Sequence, residues 1–138
     1  MEIQLLHHVS LPVSDLDRSH RFYTEILGLE EIARPDFPFG GKWYRLGTTQ
    51  ELHLILQHTD VTYRAAKGID PGDIHLAIRV KSYQATVEFL CGHGYREDAG
   101  EKDVLKLRTN PHSTTGYPQI YILDPDRHLI EINAAALD

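Results

Sequence analysis

The stretches HHVSLPV (7–13) and IHLAIRV (74–80) follow one pattern, and the residues after each follow it too. In the first, Val9, Leu11 and Val13 alternate with His8, Ser10 and Pro12. In the second, Ile74, Leu76, Ile78 and Val80 alternate with His75, Ala77 and Arg79. A period of two predicts a strand with one buried face. Each stretch leads into a helical pattern. Ser14 reads as an N-cap, with Asp15 and Asp17 complementing the dipole of the first turn. Leu16, Phe22, Tyr23, Ile26 and Leu27 form an apolar stripe that stops at Gly28. Ser82 precedes a second helix carrying Tyr83, Val87, Leu90 and Cys91, which stops at Gly92–Gly94. His8 and Phe22 recur 67 positions later as His75 and Phe89.

Further strands are expected near 29–34, 42–47 and 51–57, and near 95–99, 104–108, 119–123 and 128–133. LHLIL (52–56) mirrors LIEIN (129–133), which aligns His53 with Glu131. Such a duplication constrains the fold more than any single motif. It predicts an α+β chain forming one domain over 1–138, built from two βαβββ modules at about 1–58 and 74–138. The linker, about 58–73, contains KGIDPGD. The economical arrangement pairs the modules, within a chain or between chains, as a curved mixed sheet around a shared concave face.

Alternation then sorts the side chains. With Val9, Leu11 and Val13 packed on a helix, His8 faces the cavity and His7 lies on the core side or at the strand margin. By the same rule His75, Ala77 and Arg79 face inward, as do Glu51, His53 and Ile55, and Glu131 and Asn133. His8, His53, His75 and Glu131 therefore occupy equivalent inward positions on four strands. Nine histidines and a single cysteine, Cys91, exclude an internal disulfide and a multi-thiolate site. Imidazole and carboxylate donors suit a divalent metal such as Ni, Co, Zn, Mn or Fe(II). The spacing leaves Cys91 as plain helix packing.

The remaining bulk properties exclude other classes. A formal net charge of −6 argues against a nucleic-acid backbone as partner. No apolar run approaches the roughly 20 residues of a membrane span, and MEIQLLHHVS lacks the regions of a signal peptide. A cytoplasmic location and a small-molecule substrate are the expectations.

At this point the chain resembles the vicinal oxygen chelate superfamily, which comprises glyoxalases, bleomycin-resistance proteins, extradiol dioxygenases and fosfomycin-modifying enzymes. The resemblance rests on HHVSLPVSDLDRSHRFYTEILGL (7–29), LHLI (52–55), IHLAIRV (74–80) and IYILDPDRHLIEI (120–132). It implies metal ligands on the first and last strands of each module, hence His8, His53, His75 and Glu131. It also implies a homodimer with metal sites between the chains. One departure is DPDR (124–127), where the family's usual turn ends in Gly; Arg127 there suggests a reshaped turn.

Three chemistries remain open. A glyoxalase-like isomerase or lyase would use four ligands, with Glu131 as the base; His53 stands where similar glyoxalases carry Glu or Gln. An extradiol-type dioxygenase would use His8, His75 and Glu131 around Fe(II). By that resemblance His58 would shuttle protons, while His112 and Tyr121 would touch oxygen and substrate. A non-enzymatic binder, like the bleomycin-resistance proteins, usually lacks the ligands. Fosfomycin-type transfer is the least expected, because seven residues follow Glu131. Candidate substrate contacts are Arg79, Trp43 and Tyr117, the last within the loop TNPHSTTGYP (109–118). Phe37 and Phe39, with Trp43, either wall an apolar substrate or pack in the core, and Arg45 is a candidate carboxylate partner.

Overall fold

Alternation lays down β1 (His8–Val13), whose exposure rises and falls with period two from exposed His8 to buried Val13. The computed structural model describes residues 1–57, 64 and 66–138, and its chain divides into two compact units, Met1–Thr62 and Tyr63–Asp138. Each unit holds one βαβββ module, and the class is α+β as expected.

In the first unit β1 is followed by α1 (Leu16–Arg21), then β2 (Glu30–Ile32), β3 (Gly41–Leu46) and β4 (Gln50–Leu56). The sheet order is β1-β4-β3-β2, with β1 parallel to β4 and the other pairs antiparallel. Tyr44, Leu52 and Leu54 share the fully buried face, and Tyr23 lies 6.0 Å from Tyr44 between ring centroids. The helix is capped by Asp15, one residue later than expected. Its carboxylate accepts from the Arg18 backbone N–H at 2.9 Å, while Ser14 Oγ accepts from the Arg18 guanidinium. Beyond Arg21 the chain widens into a π-helical turn, Phe22–Ile26. Thr24 Oγ1 donates to the His20 carbonyl at 2.7 Å, the type of back-bond that bends a helix.

The second unit repeats the order: β5 (His75–Val80), α2 (Tyr83–Gly92), β6 (Arg108–Asn110), β7 (Gln119–Leu123) and β8 (Leu129–Ala134). Its sheet runs β5-β8-β7-β6, again with the first and last strands of the module parallel. Ser82 Oγ caps α2 through the Ala85 N–H, and Asp138 accepts from the N–H groups of Tyr83 and Gln84. Ile120, Ile122 and Ile130 are fully buried on the sheet face away from the site.

Three expectations change here. The segments 95–99 and 104–108 are not strands but meet in one isolated bridge, Arg96 to Lys106, and β6 begins at Arg108. Cys91 is exposed, because the buried stripe of α2 narrows to Tyr83 and Leu90. Phe89 is 42% exposed although its counterpart Phe22 is buried, so the repeat holds for strands better than for helices.

The DPDR turn keeps a left-handed residue at its end despite the missing glycine. Arg127 has φ of 67°, a conformation that costs a side chain about 1–2 kcal/mol. Its guanidinium donates to the carbonyls of Lys67 and Lys102, both at 2.8 Å, which offsets that cost. We expect Arg127→Ala to destabilise the fold more than Arg127→Gly, by about 1 kcal/mol in urea unfolding, since only glycine removes the strain along with the bonds. Equal losses would place the role of Arg127 elsewhere.

Candidate functional site

Parallel pairing of the first and last strands sets the site geometry in both units. In the first, Ser10 faces His53 across β1 and β4; in the second, Ala77 faces Glu131 across β5 and β8. His8 and His75 sit two residues before Ser10 and Ala77, on the same face. The two donor pairs are therefore diagonal neighbours in the same register, as the duplication predicts. Among the described residues, no three His, Cys, Asp or Glu side chains form a ready metal cluster. Each unit contributes one pair.

In the first unit His8 and His53 stack with centroids 4.3 Å apart, and Trp43 stacks on His53 at 3.9 Å and 4°. His53 is buried, and its Nε2 lies 2.8 Å from Glu51 Oε2. That hydrogen bond, helped by His7 and Arg45, holds the Glu51 carboxyl below its ordinary range. Arg45 lies 3.9 Å from Glu51 and so has an internal partner. His7 sits at the strand margin, where its Nδ1 meets His8 Nδ1 at 2.9 Å. Phe37 and Phe39 are exposed, stack at 5.2 Å and lie beneath the Arg34 guanidinium, so they are not core.

In the second unit His75 Nε2 approaches Glu131 Oε2 at 3.5 Å. The other ring nitrogen, Nδ1, donates to the Asp73 carbonyl at 2.8 Å. A carbonyl can only accept, so Nδ1 carries the proton and Nε2 offers its lone pair. Asp73 is itself fixed by Lys67 and Arg64, which hold its carboxyl well below the usual range. Glu131 is buried and accepts three hydrogen bonds, from Gln119 Nε2 and Tyr121 Oη at 3.0 Å and from Asn133 Nδ2 at 2.8 Å. Burial pushes its pKa up, but those donors outweigh it and keep the carboxylate ionised. A carboxylate has about four acceptor positions, so three donors leave one on the His75 side.

Tyr121 is pushed up to about 12, first by burial and then by its bond to Glu131, and acts as a neutral donor to that carboxylate. A cleft of ≈ 710 Å³ in this unit opens onto His75, Glu131, Tyr121, Arg108 and Tyr117. Arg79 lies over the Tyr117 ring at 4.8 Å. His112 is exposed and does not line the cleft. His58 falls outside the described residues.

Sequence reasoning missed Glu51, Gln119 and Asp73 as partners of the site. Glu51 and Gln119 share the inward face with the donors, a signal open to strand alternation. The backbone carbonyl of Asp73 leaves no such trace.

The donor set fits a divalent metal: imidazole nitrogens with one edge committed to an outer partner, and a carboxylate with one position free. The comparisons with known proteins agree. The chain is 30% identical over 131 residues to a probable lactoylglutathione lyase of Synechocystis sp., covering 92% of each. It is 28% identical over 144 residues to the metallothiol transferase FosB of Staphylococcus epidermidis, covering 99% of this chain and 86% of that one. Its fold matches a mutant of the fosfomycin resistance protein FosX of Listeria monocytogenes, complexed with Mn(II) and 1S,2S-dihydroxypropylphosphonic acid. There the TM-score is 0.68 at 20% identity, covering 99% of this chain and 95% of that one. The sequence model of one family matches residues 5–132, and by that match the chain belongs to the Glyoxalase/Bleomycin resistance protein/Dioxygenase superfamily.

Proposed function

We propose that this protein is a metal-dependent isomerase or lyase of glyoxalase type, with His8, His53, His75 and Glu131 as the ligands of a divalent metal. The two modules act as one domain, and a homodimer carries the metal sites between its chains. The observation behind this reading is the repeated register, which presents an equivalent donor pair in each unit. The similarity to a probable lactoylglutathione lyase supports the choice of chemistry.

Within this reading each side chain has a distinct task. His75 offers Nε2 because Asp73 holds the other nitrogen. Glu131 is kept anionic by Gln119, Tyr121 and Asn133, which suits a ligand; proton transfer to it requires one of these bonds to loosen. The bound metal supplies a Lewis acid that polarises a substrate oxygen. Arg108 and Tyr117 in the cleft, with Arg79 beside Tyr117, orient the substrate.

A second reading, thiol transfer to a small electrophile, is favoured by the match to FosB over 99% of the chain. The test is to purify the protein without added metal, measure its metal content, and assay two substrates with and without chelator. Chelator-sensitive turnover of the hemithioacetal of a 2-oxoaldehyde and glutathione supports the isomerase. Thiol consumption with fosfomycin supports the transferase. Oxygen uptake with a catechol favours the Fe(II) dioxygenase, and a protein that takes up no divalent metal is a binder.

A further inference from the structure

Strand β4 carries a carboxylate outside the ligand set. Glu51 lies directly across from His8 in the β1–β4 register and on the same face as His53. The corresponding position in the second unit, across from His75, is Leu129. The carboxylate is therefore not a relic of the duplication; it accompanies the module whose last strand carries histidine instead of glutamate.

We propose that Glu51 is a positioning residue that holds His53 as its Nε2–H tautomer, so that this imidazole presents Nδ1 to the metal. The inference rests on the reading above that His53 is a ligand.

The geometry leaves His53 little freedom. Trp43 on β3 and His8 on β1 flank β4, and their rings lie parallel to His53 within 4° and 14°. The sandwich fixes the plane of the ring but not which edge points outward, since a half-turn about the Cβ–Cγ bond exchanges the edges within that plane. Glu51 decides between them. Its Oε2 is 2.8 Å from Nε2, and an ionised carboxylate only accepts, so the proton resides on Nε2. Solvent cannot readily compete, because the His53 side chain is 9% exposed. Among the described residues nothing hydrogen-bonds to Nδ1. The two units are thus wired oppositely: Asp73 leaves His75 with Nε2 free, and Glu51 leaves His53 with Nδ1 free.

The experiment uses the full chain as wild type, Glu51→Gln, Glu51→Ala, His53→Ala and the Glu51→Ala/His53→Ala double variant. Long-range ¹H–¹⁵N correlation of the metal-free protein reads the His53 tautomer, and calorimetry with Co(II) reads affinity. In wild type His53 is expected as Nε2–H. In both Glu51 variants it should become a mixture, because glutamine can donate as well as accept. Co(II) affinity should fall roughly 10–100-fold in Glu51→Ala, and no further when His53 is already absent. A His53 tautomer unchanged in Glu51→Ala overturns the proposal. So does an equal loss of affinity in the His53→Ala background, which would make Glu51 a ligand itself. Wild type that binds no Co(II) overturns the metal function instead, and the tautomer alone then decides the role of Glu51.

Discussion

Replacing Glu131 by alanine is expected to lower divalent-metal affinity by more than the roughly 10–100-fold typical of losing an outer-shell partner. It should also destabilise the metal-free fold. The carboxylate is buried, and three buried groups point hydrogens at it: the amides of Gln119 and Asn133 and the hydroxyl of Tyr121. Removing the acceptor leaves those donors unsatisfied, at about 1–3 kcal/mol for a buried donor. Relief from burying a charge offsets part of this, so a net loss on the order of 1–3 kcal/mol is expected. Glu131→Gln separates the two effects. It keeps the volume but brings an NH₂ towards groups that are donors already, so it should lose metal affinity and still strain the cluster. Equilibrium unfolding with and without metal measures both. An alanine variant with unchanged affinity would remove Glu131 from the ligand set.

The largest effect on stability alone is expected from Ile130→Ala. Ile130 is fully buried in the middle of β8, paired with Leu76 on β5 and Ile122 on β7. Truncation there removes apolar contacts and leaves a cavity between strands packed on both sides, at about 2–5 kcal/mol. For a chain of this size that corresponds to roughly 3–6 °C in Tm for each kcal/mol. Ile74→Ala is the matched control, because Ile74 is 87% exposed and its loss should stay within about 0.5 kcal/mol. Comparable losses in the two variants would contradict the packing described for the second unit.

Much of this architecture is legible in the amino-acid order, for a physical reason. Where one strand face is buried and the other is not, period-two alternation is compulsory, so β1 and β5 and their inward residues follow directly. The inward positions of His53 and Glu131 follow too, since a slip of one residue would turn every leucine or isoleucine of β4 and β8 outward. The failures lie where that constraint is weak. Residues 95–108 mix charges, glycines and aromatics without a period, and their strand character reduces to one bridge before β6. Ser14 and Asp15 are both good caps, and only the backbone geometry selects Asp15. Cys91 read as packing because a helical stripe does not reveal its own width. The outer partners of the donors escaped because a side chain's hydrogen-bond partner is a matter of ångströms, which alternation does not resolve.

The parallel pairing of β1 with β4, and of β5 with β8, has a kinetic and thermodynamic consequence. A parallel pair cannot close through a tight turn, so a helix and two strands lie between the two donors of each unit. In the unfolded chain those donors are separated by a long, floppy loop and have little chelating power; they meet only after the crossover is complete. A metal ion that needs both donors therefore binds the finished unit and ignores its precursors. Its binding free energy then adds to the folding free energy, and resistance to unfolding should rise with the logarithm of free metal concentration.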